Sequence, residues 1–353
     1  MSVITLALTG SAHDRGRVQA SAGQAEQVRQ ATIGRVQTAQ AEGLIDAEAR
    51  AYLAAQRAFH QAADPEGLAE LDGIAAGFGL DPDMLFTHLH VSTLRALKNG
   101  ARLDDGCSAW AVSDGPDGPL VVKNRDFSGT HLGIQTVAQH DGPDVITGGM
   151  LCLGSLGSPG AYSSGVNAQG FALADTQVAV RHHRVGWLRY FLMTRLLARC
   201  ATVAEALALI DSQPHAGGGT LVMADASGDV AAVELGAAGA DVTRGPLVWR
   251  TNQYVSAALA GDTLLPHGDV IAGNSGDRFA HLQAVLPGRD WDRTAAQALM
   301  ATHPDQGAPI CQHGEDSGTM TIASAVYSCR DRDALICPGN PCSGAWTRHT
   351  LDR

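Results

Sequence analysis

The texture of the chain changes once, at Gly106, and that break limits what the chain can fold into. From about Arg17 to Lys98 it is rich in Ala, Gln and Glu with helical periodicity, and meets no strong turn signal before Asp64-Pro65. Ile45 to Ala62 reads as a helix of good formers, and Asp81-Pro82-Asp83 opens another short one, with Pro82 suited to a first turn. After Gly106 the pattern becomes short β-type runs separated by Gly, Pro and Asp. Strands are expected at Cys107–Ser113, Leu120–Phe127, Phe171–Val178, Thr220–Ala224, Val230–Leu235, Leu247–Thr251 and Met320–Ser328. Met1 to Gly10 is read as a first strand; without a basic lead-in or a small-residue cleavage site, it does not read as a signal peptide. Helices are expected at Trp187–Cys200, at Val203–Asp211 and from near Ser275 through Leu286. Strands in sequence with helices grouped between them suggest an α+β layered sandwich.

Composition removes several functions. A formal charge of −11 argues against a nucleic-acid partner, which needs a basic surface. No segment reaches the apolar length of a membrane span. Seven scattered cysteines, an odd number, fit a reducing cytoplasm better than a disulfide scaffold. Cys311, His313, Cys329, Cys337 and Cys342 match no compact zinc-ligand spacing, so no metal is expected. The glycine runs Gly154–Gly160 and Gly217–Gly219 lack the residues of a nucleotide cradle, and no cofactor is expected.

The chemistry is read from the hairpin after Gly106. If residues 114–119 form its loop, Ser113 faces Leu120 and counting back places Cys107 opposite Asp126. Facing residues have Cβ atoms about 4.5–5.5 Å apart, so a thiol would lie beside a carboxylate; a slip of one residue would separate them onto opposite faces. A thiol with a pKa of about 8.5 needs a neighbouring base. Were Cys107 a chain terminus, its α-amine, with a pKa of about 7.7–8.0, would supply one. Gly106 suits a cut there, having no side chain to block approach to its carbonyl.

Asp105-Gly-Cys-Ser-Ala-Trp-Ala-Val with Val122-Lys-Asn-Arg-Asp-Phe127 resembles the N-terminal nucleophile hydrolases of the penicillin acyltransferase type and, more distantly, choloylglycine hydrolase and acid ceramidase. The likeness continues in order through Gly10–Gly16, Glu70–Gly77, Gly165–Phe171, Ala224–Gly228 with Glu234, Thr251-Asn252, Gly273–Phe279 and Gly339–Cys342. It implies a four-layered αββα fold and a precursor that cuts itself between Gly106 and Cys107. Residues 1–106 would be a mainly helical N-terminal segment and 107–353 the catalytic segment, the two folding as one domain. Cys107 would be the nucleophile, Asp126 the residue that orients it, Asn252 an oxyanion donor, Asn167 a second active-site asparagine and Arg278 the arginine that closes the site. Lys123 and Asn274 stand as supporting residues. Lys123 occupies the place of an arginine in choloylglycine hydrolase, a point charge where that family has a bidentate fork. Arg125 falls on the other face from Asp126 and reads as structural.

The function these residues imply is cleavage of a small linear amide through a Cys107 thioester. The alternative is an acyltransferase that moves an acyl group from a CoA thioester or amide to an amine; a binding protein that kept the fold without activity is the remaining reading. The expected partners are a small N-acyl substrate, the two cleaved chains for each other, and further copies in a homo-oligomer.

Overall fold

The computed structural model describes residues 3–98, 106–265, 270–314 and 318–351. Asp105, part of the motif around Gly106, lies outside the described residues. The N-terminal segment is helical, and its main helices begin at capping carboxylates. Asp46 accepts from Ala49 ahead of Ala47–Ala63, Asp64 from Gly67 ahead of Pro65–Phe78, and Asp81 from Met84 ahead of Pro82–Leu97. These caps satisfy first-turn N–H groups that have no partner within the helix, and Pro65 and Pro82 stand where a missing N–H costs nothing. The helix from Pro82, expected to be short, runs on to Leu97 because it buries Leu85, Phe86, Leu89 and Leu94 along one face.

Two motif glycines have a packing reason. The helices Ala12–Val18 and Pro65–Phe78 meet backbone to backbone: a Cβ on Gly16 would lie 2.0 Å from the Glu70 carbonyl oxygen, and one on Gly73 would lie 2.1 Å from that of His13. Only hydrogen fits at that crossing.

The strands are β1 (Ile4–Thr9), β2 (Ser108–Val112), β3 (Leu120–Ser128), β4 (Gln135–Asp141), β5 (Met150–Ser155), β6 (Ser164–Asn167), β7 (Ala172–Thr176), β8 (Thr220–Ala224), β9 (Val230–Gly236), β10 (Gly239–Arg244), β11 (Leu247–Arg250), β12 (Thr319–Ser328), β13 (Asp333–Pro338) and β14 (Thr347–Thr350). Among the described residues they form an eight-stranded sheet, β1-β4-β5-β6-β7-β8-β9-β10, and a six-stranded sheet, β11-β2-β3-β12-β13-β14. β1 joins the first sheet parallel to β4, so the N-terminal segment shares a sheet with the rest of the chain.

Three cores define the layers. Small and branched side chains of both sheets, among them Ala109, Val121, Ala325, Leu153, Ala174 and Val222, fill the space between them. The outer face of the first sheet packs against the N-terminal helices and Arg189–Arg199. The outer face of the second, with Trp110, Leu120, Val122 and Val326, packs against Leu282 and Leu286 on one side and Leu299 and Met300 on the other. The result is the αββα sandwich. Among the described residues, no helix is long and apolar enough to cross a membrane.

The hairpin register differs from expectation by one residue. Ser113 donates its N–H to Pro246, at 2.8 Å, instead of entering the ladder with β3. The loop therefore spans 113–119, Val112 faces Leu120, and Ser108 faces Asn124. Gly106, not Cys107, comes opposite Asp126, and its N–H donates to the Asp126 carbonyl at 3.3 Å. The helix expected near Ser275 starts earlier, at Val270, so Asn274 and Ser275 lie inside it rather than capping it.

Candidate active site

Strand alternation sends β3 in two directions. Lys123 and Arg125 point toward the other sheet, where they bond Asp175 of β7 and the Gly154 carbonyl of β5. Asn124 and Asp126 point toward the helical layer, where they meet Met300 and Gln312. Cys107, at the head of β2 and 3% exposed, lines a small cleft with Lys123, Arg125, Asp126, Tyr162, Asp175 and Tyr190. Its Sγ lies 3.8 Å from the main-chain oxygen of Asp126, so the thiol meets that residue's backbone and not its carboxylate as the expected pairing required.

The cleft is charged, and Asp175 is held between two cations. Burial would raise the Asp175 pKa, yet the Lys123 and Arg189 cations outweigh burial and hold it below the ordinary carboxylate value. Lys123 thus acts as a point charge between sheets. Arg125 donates to Gly154 at 2.7 Å and lies over the Tyr162 ring, 5.5 Å from its centroid, placing it in the cleft wall.

On the other face a hydrogen-bonded circuit surrounds the Gly106–Cys107 peptide. Asp126 is fully buried and accepts from Gln312 Nε2 and from Thr321 Oγ1, each at 2.6 Å. Burial pushes its pKa up to about 6, and Arg278, Thr321, Gln312 and Lys123 only partly oppose this. Gln312 Nε2 also donates to the Gly106 carbonyl at 2.8 Å, while its Oε1 accepts from Asn274. Asn274 Oδ1 accepts from Arg278 Nε at 2.9 Å. Arg278 Nη1 donates to the Cys107 carbonyl at 2.8 Å and to Ser108 Oγ, and Nη2 donates to Asn252 Oδ1 at 2.8 Å. Burial lowers the Arg278 pKa to about 10, which still leaves it charged at neutral pH.

Cys107, Gly106, Asp126, Asn252, Arg278 and Asn274 therefore come together, with Lys123 on the cleft side. Asn252 joins as an acceptor for Arg278, and its Nδ2 donates to the Gln177 carbonyl at 2.9 Å. Asn167 does not join. Its Nδ2 bonds the carbonyls of Leu197 and Cys200, and its Oδ1 accepts from Gln169 and Phe171. That side chain closes the β6–β7 turn onto the end of a helix, the ordinary work of an asparagine at a strand end. Gln312 and Thr321 were not anticipated. Thr321 lies in an expected strand, but only its pairing with Asp126 across β3 and β12 gives it a role. Nothing local marks Gln312.

Two face-to-face sheets between helical layers give the chain the αββα architecture of the N-terminal nucleophile hydrolase fold. The chain belongs to the acyl-coenzyme A:6-aminopenicillanic acid acyl-transferase family, whose model matches residues 113–343. The matched stretch contains Asp126, Asn252 and Arg278 and begins after Cys107. Among solved structures, a conjugated bile acid hydrolase from Clostridium perfringens aligns at 12% identity and a TM-score of 0.41, over 70% of this chain and 97% of that one. Penicillin V acylase from Agrobacterium tumefaciens aligns at 13% identity and a TM-score of 0.36, over 66% and 83% of the two chains. No curated protein sequence matches.

Proposed function

We propose that the chain cuts itself between Gly106 and Cys107 and that the processed enzyme cleaves a small linear amide through a thioester on Cys107. The observation that carries this is the Gln312 Nε2–H donated to the Gly106 carbonyl at 2.8 Å in a buried setting. Fixed donors act most strongly where negative charge develops, and attack on Gly106 would put that charge on this oxygen.

In the first reaction the Cys107 sulfur adds to the Gly106 carbonyl carbon while Gln312 holds the oxyanion. The carbon–nitrogen bond then breaks, and the Cys107 nitrogen takes up the proton the thiol gave up. Water hydrolyses the resulting thioester, leaving a carboxylate on Gly106 and a free thiol and α-amine on Cys107. Asp126 supports the step by accepting from Gln312, and Arg278 fixes the strand through the Cys107 carbonyl. The two pieces would stay together because β1 and β4 are neighbours in one sheet. In the second reaction the α-amine serves as base, the thiol attacks the substrate carbonyl, the amine leaves, and water opens the acyl-enzyme.

Acyl transfer is the second reading, favoured by the family's own description as an acyl-transferase. The two fates differ only in whether a bound amine outcompetes water at the thioester. Intact mass measurement of the purified protein tests the processing step. Incubation of the cut form with an N-acyl substrate, with and without added amine, tests the fate. If no acyl-enzyme can be trapped with any reactive ester or amide, the proposal fails.

A further inference from the structure

We infer that His303, Cys311, His313 and Cys342 form a tetrahedral zinc site that locks the loop bearing Gln312. Their ligand atoms all lie within 4.8 Å of one another. His313 Nε2 is the hub: it is 3.1 Å from His303 Nε2, 3.6 Å from Cys311 Sγ and 3.5 Å from Cys342 Sγ. A tetrahedral zinc, with Zn–S about 2.3 Å and Zn–N about 2.0–2.1 Å, spaces two nitrogens by about 3.3 Å and a nitrogen and a sulfur by about 3.6 Å. The three observed edges match those values.

Hydrogen bonding is a poorer account of the same contacts. An imidazole nitrogen offers one N–H or one in-plane lone pair, enough for one of the three neighbours. A cation at the centre satisfies all four groups, and two thiolates would neutralise its charge. Asn340 adds a supporting contact. Its Nδ2 lies 3.4 Å from Cys311 Sγ and donates to the Gln312 carbonyl at 2.7 Å, the kind of N–H donor that steadies a metal-bound sulfur.

The ligands come from separate parts of the chain. His303 follows the helix Arg293–Met300, Cys311 and His313 flank Gln312, and Cys342 lies in the turn after β13. This dispersion hid the set from spacing. Of the five residues considered for zinc from sequence, Cys329 lies in the intersheet core and Cys337 Sγ faces the Pro338 and Asn340 carbonyls, while His303 was not among them. With four protein ligands the site is closed and therefore structural, not catalytic. Its consequence is positional: two ligands bracket the residue whose amide reaches Gly106 and Asp126.

The test uses the full chain as Cys107→Ala, reduced, stripped with chelator and dialysed, then titrated with zinc chloride or cobalt(II) chloride. One zinc per chain should be retained through gel filtration. Cobalt should give the visible bands of a tetrahedral ion together with a near-ultraviolet sulfur-to-cobalt band. Cys342→Ser and His303→Ala should each weaken zinc binding by more than the roughly 10–100-fold expected when a supporting partner such as Asn340 is removed. Should a variant misfold by circular dichroism, the cobalt spectrum of the parent chain still decides. Absence of that spectrum, zinc binding unchanged in both ligand variants, or a Cys311–Cys342 disulfide in protein purified with zinc and no oxidant would each overturn the site. These readouts need neither cleavage nor turnover, so they stand apart from the proposed amidase activity.

Discussion

Gln312 Nε2 lies 2.8 Å from the Gly106 carbonyl oxygen and 2.6 Å from Asp126 Oδ2, so one side-chain amide bridges a main-chain carbonyl and a buried carboxylate. A primary amide has two N–H donors, and this one uses both. Gln312→Ala should slow cleavage at Gly106 by about 100-fold or more, the usual effect of losing an oxyanion donor. The appearance of a fragment ending at Gly106 after synthesis in a cell-free system measures it. A wild-type rate in the variant would remove Gln312 from the processing step.

Wild-type protein should separate under denaturing conditions into residues 1–106 and 107–353, and Cys107→Ala should remain one chain. In the cut form, alkylation should abolish turnover with the label on Cys107. Full activity from an uncut chain, or inactivation through another cysteine, would sink the nucleophile assignment.

The raised pKa of Asp126 has two pH consequences. Its folded value, about 6, lies above the ordinary carboxylate value of 3.8, so between these the folded state holds more protons than the unfolded one. The contribution of this residue is therefore present at low pH and is lost as pH rises from about 4 through about 6. Asp126→Asn should flatten that part of the stability–pH curve in chemical denaturation. Processing should show the opposite trend, rising through an apparent pKa near 6 as the carboxylate becomes a full acceptor for Gln312 and Thr321. A rate profile for Asp126→Asn that superimposes on wild type would exclude the residue from the site.

Arg278 reaches Cys107, Ser108, Asn252 and Asn274 through three nitrogens, a fork that lysine cannot reproduce. Arg278→Lys should slow processing and lower the melting temperature, since each buried acceptor left unpaired costs about 1–3 kcal/mol. Calorimetry of the Cys107→Ala background with and without the change separates stability from rate. An unchanged melting temperature would mean that the circuit is not held by the guanidinium.

Gly73→Ala would drive a methyl group against the His13 carbonyl and force two helices apart, costing about 1–3 kcal/mol or more. Gly276→Ala is the contrast: nothing lies within 4 Å of a Cβ there, within the helix Val270–Val285, so it should stabilise by about 0.5–1 kcal/mol. Equal denaturation midpoints for the two variants would contradict the close helix crossing.

Local sequence determined the elements and the order of the chemistry-bearing groups. Capping carboxylates before Pro65 and Pro82, good helix formers from Ile45, and alternating short runs after Gly106 act within a few residues, so Thr220–Ala224 and Val203–Asp211 appear with the bounds expected. β4, β5, β6, β10, β13 and β14 are not among the strands expected from sequence; β10 and β14 are short, largely polar edge strands with no apolar face to mark them. The hairpin failed by a single residue because Ser113 took a partner, Pro246, more than a hundred positions away. That one bond moved Asp126 from beside the thiol to behind the Gly106 peptide. Asn167 stands apart from the circuit for a related reason, since a short polar side chain at a strand end serves a turn as readily as a reaction. Nothing in the local sequence shows that Gln312 and Thr321 meet Asp126, or that His303 meets Cys311, His313 and Cys342. Their roles arise where β12, the loop before it and the turn after β13 converge, and convergence of distant segments is a property of packing that no short window of sequence contains.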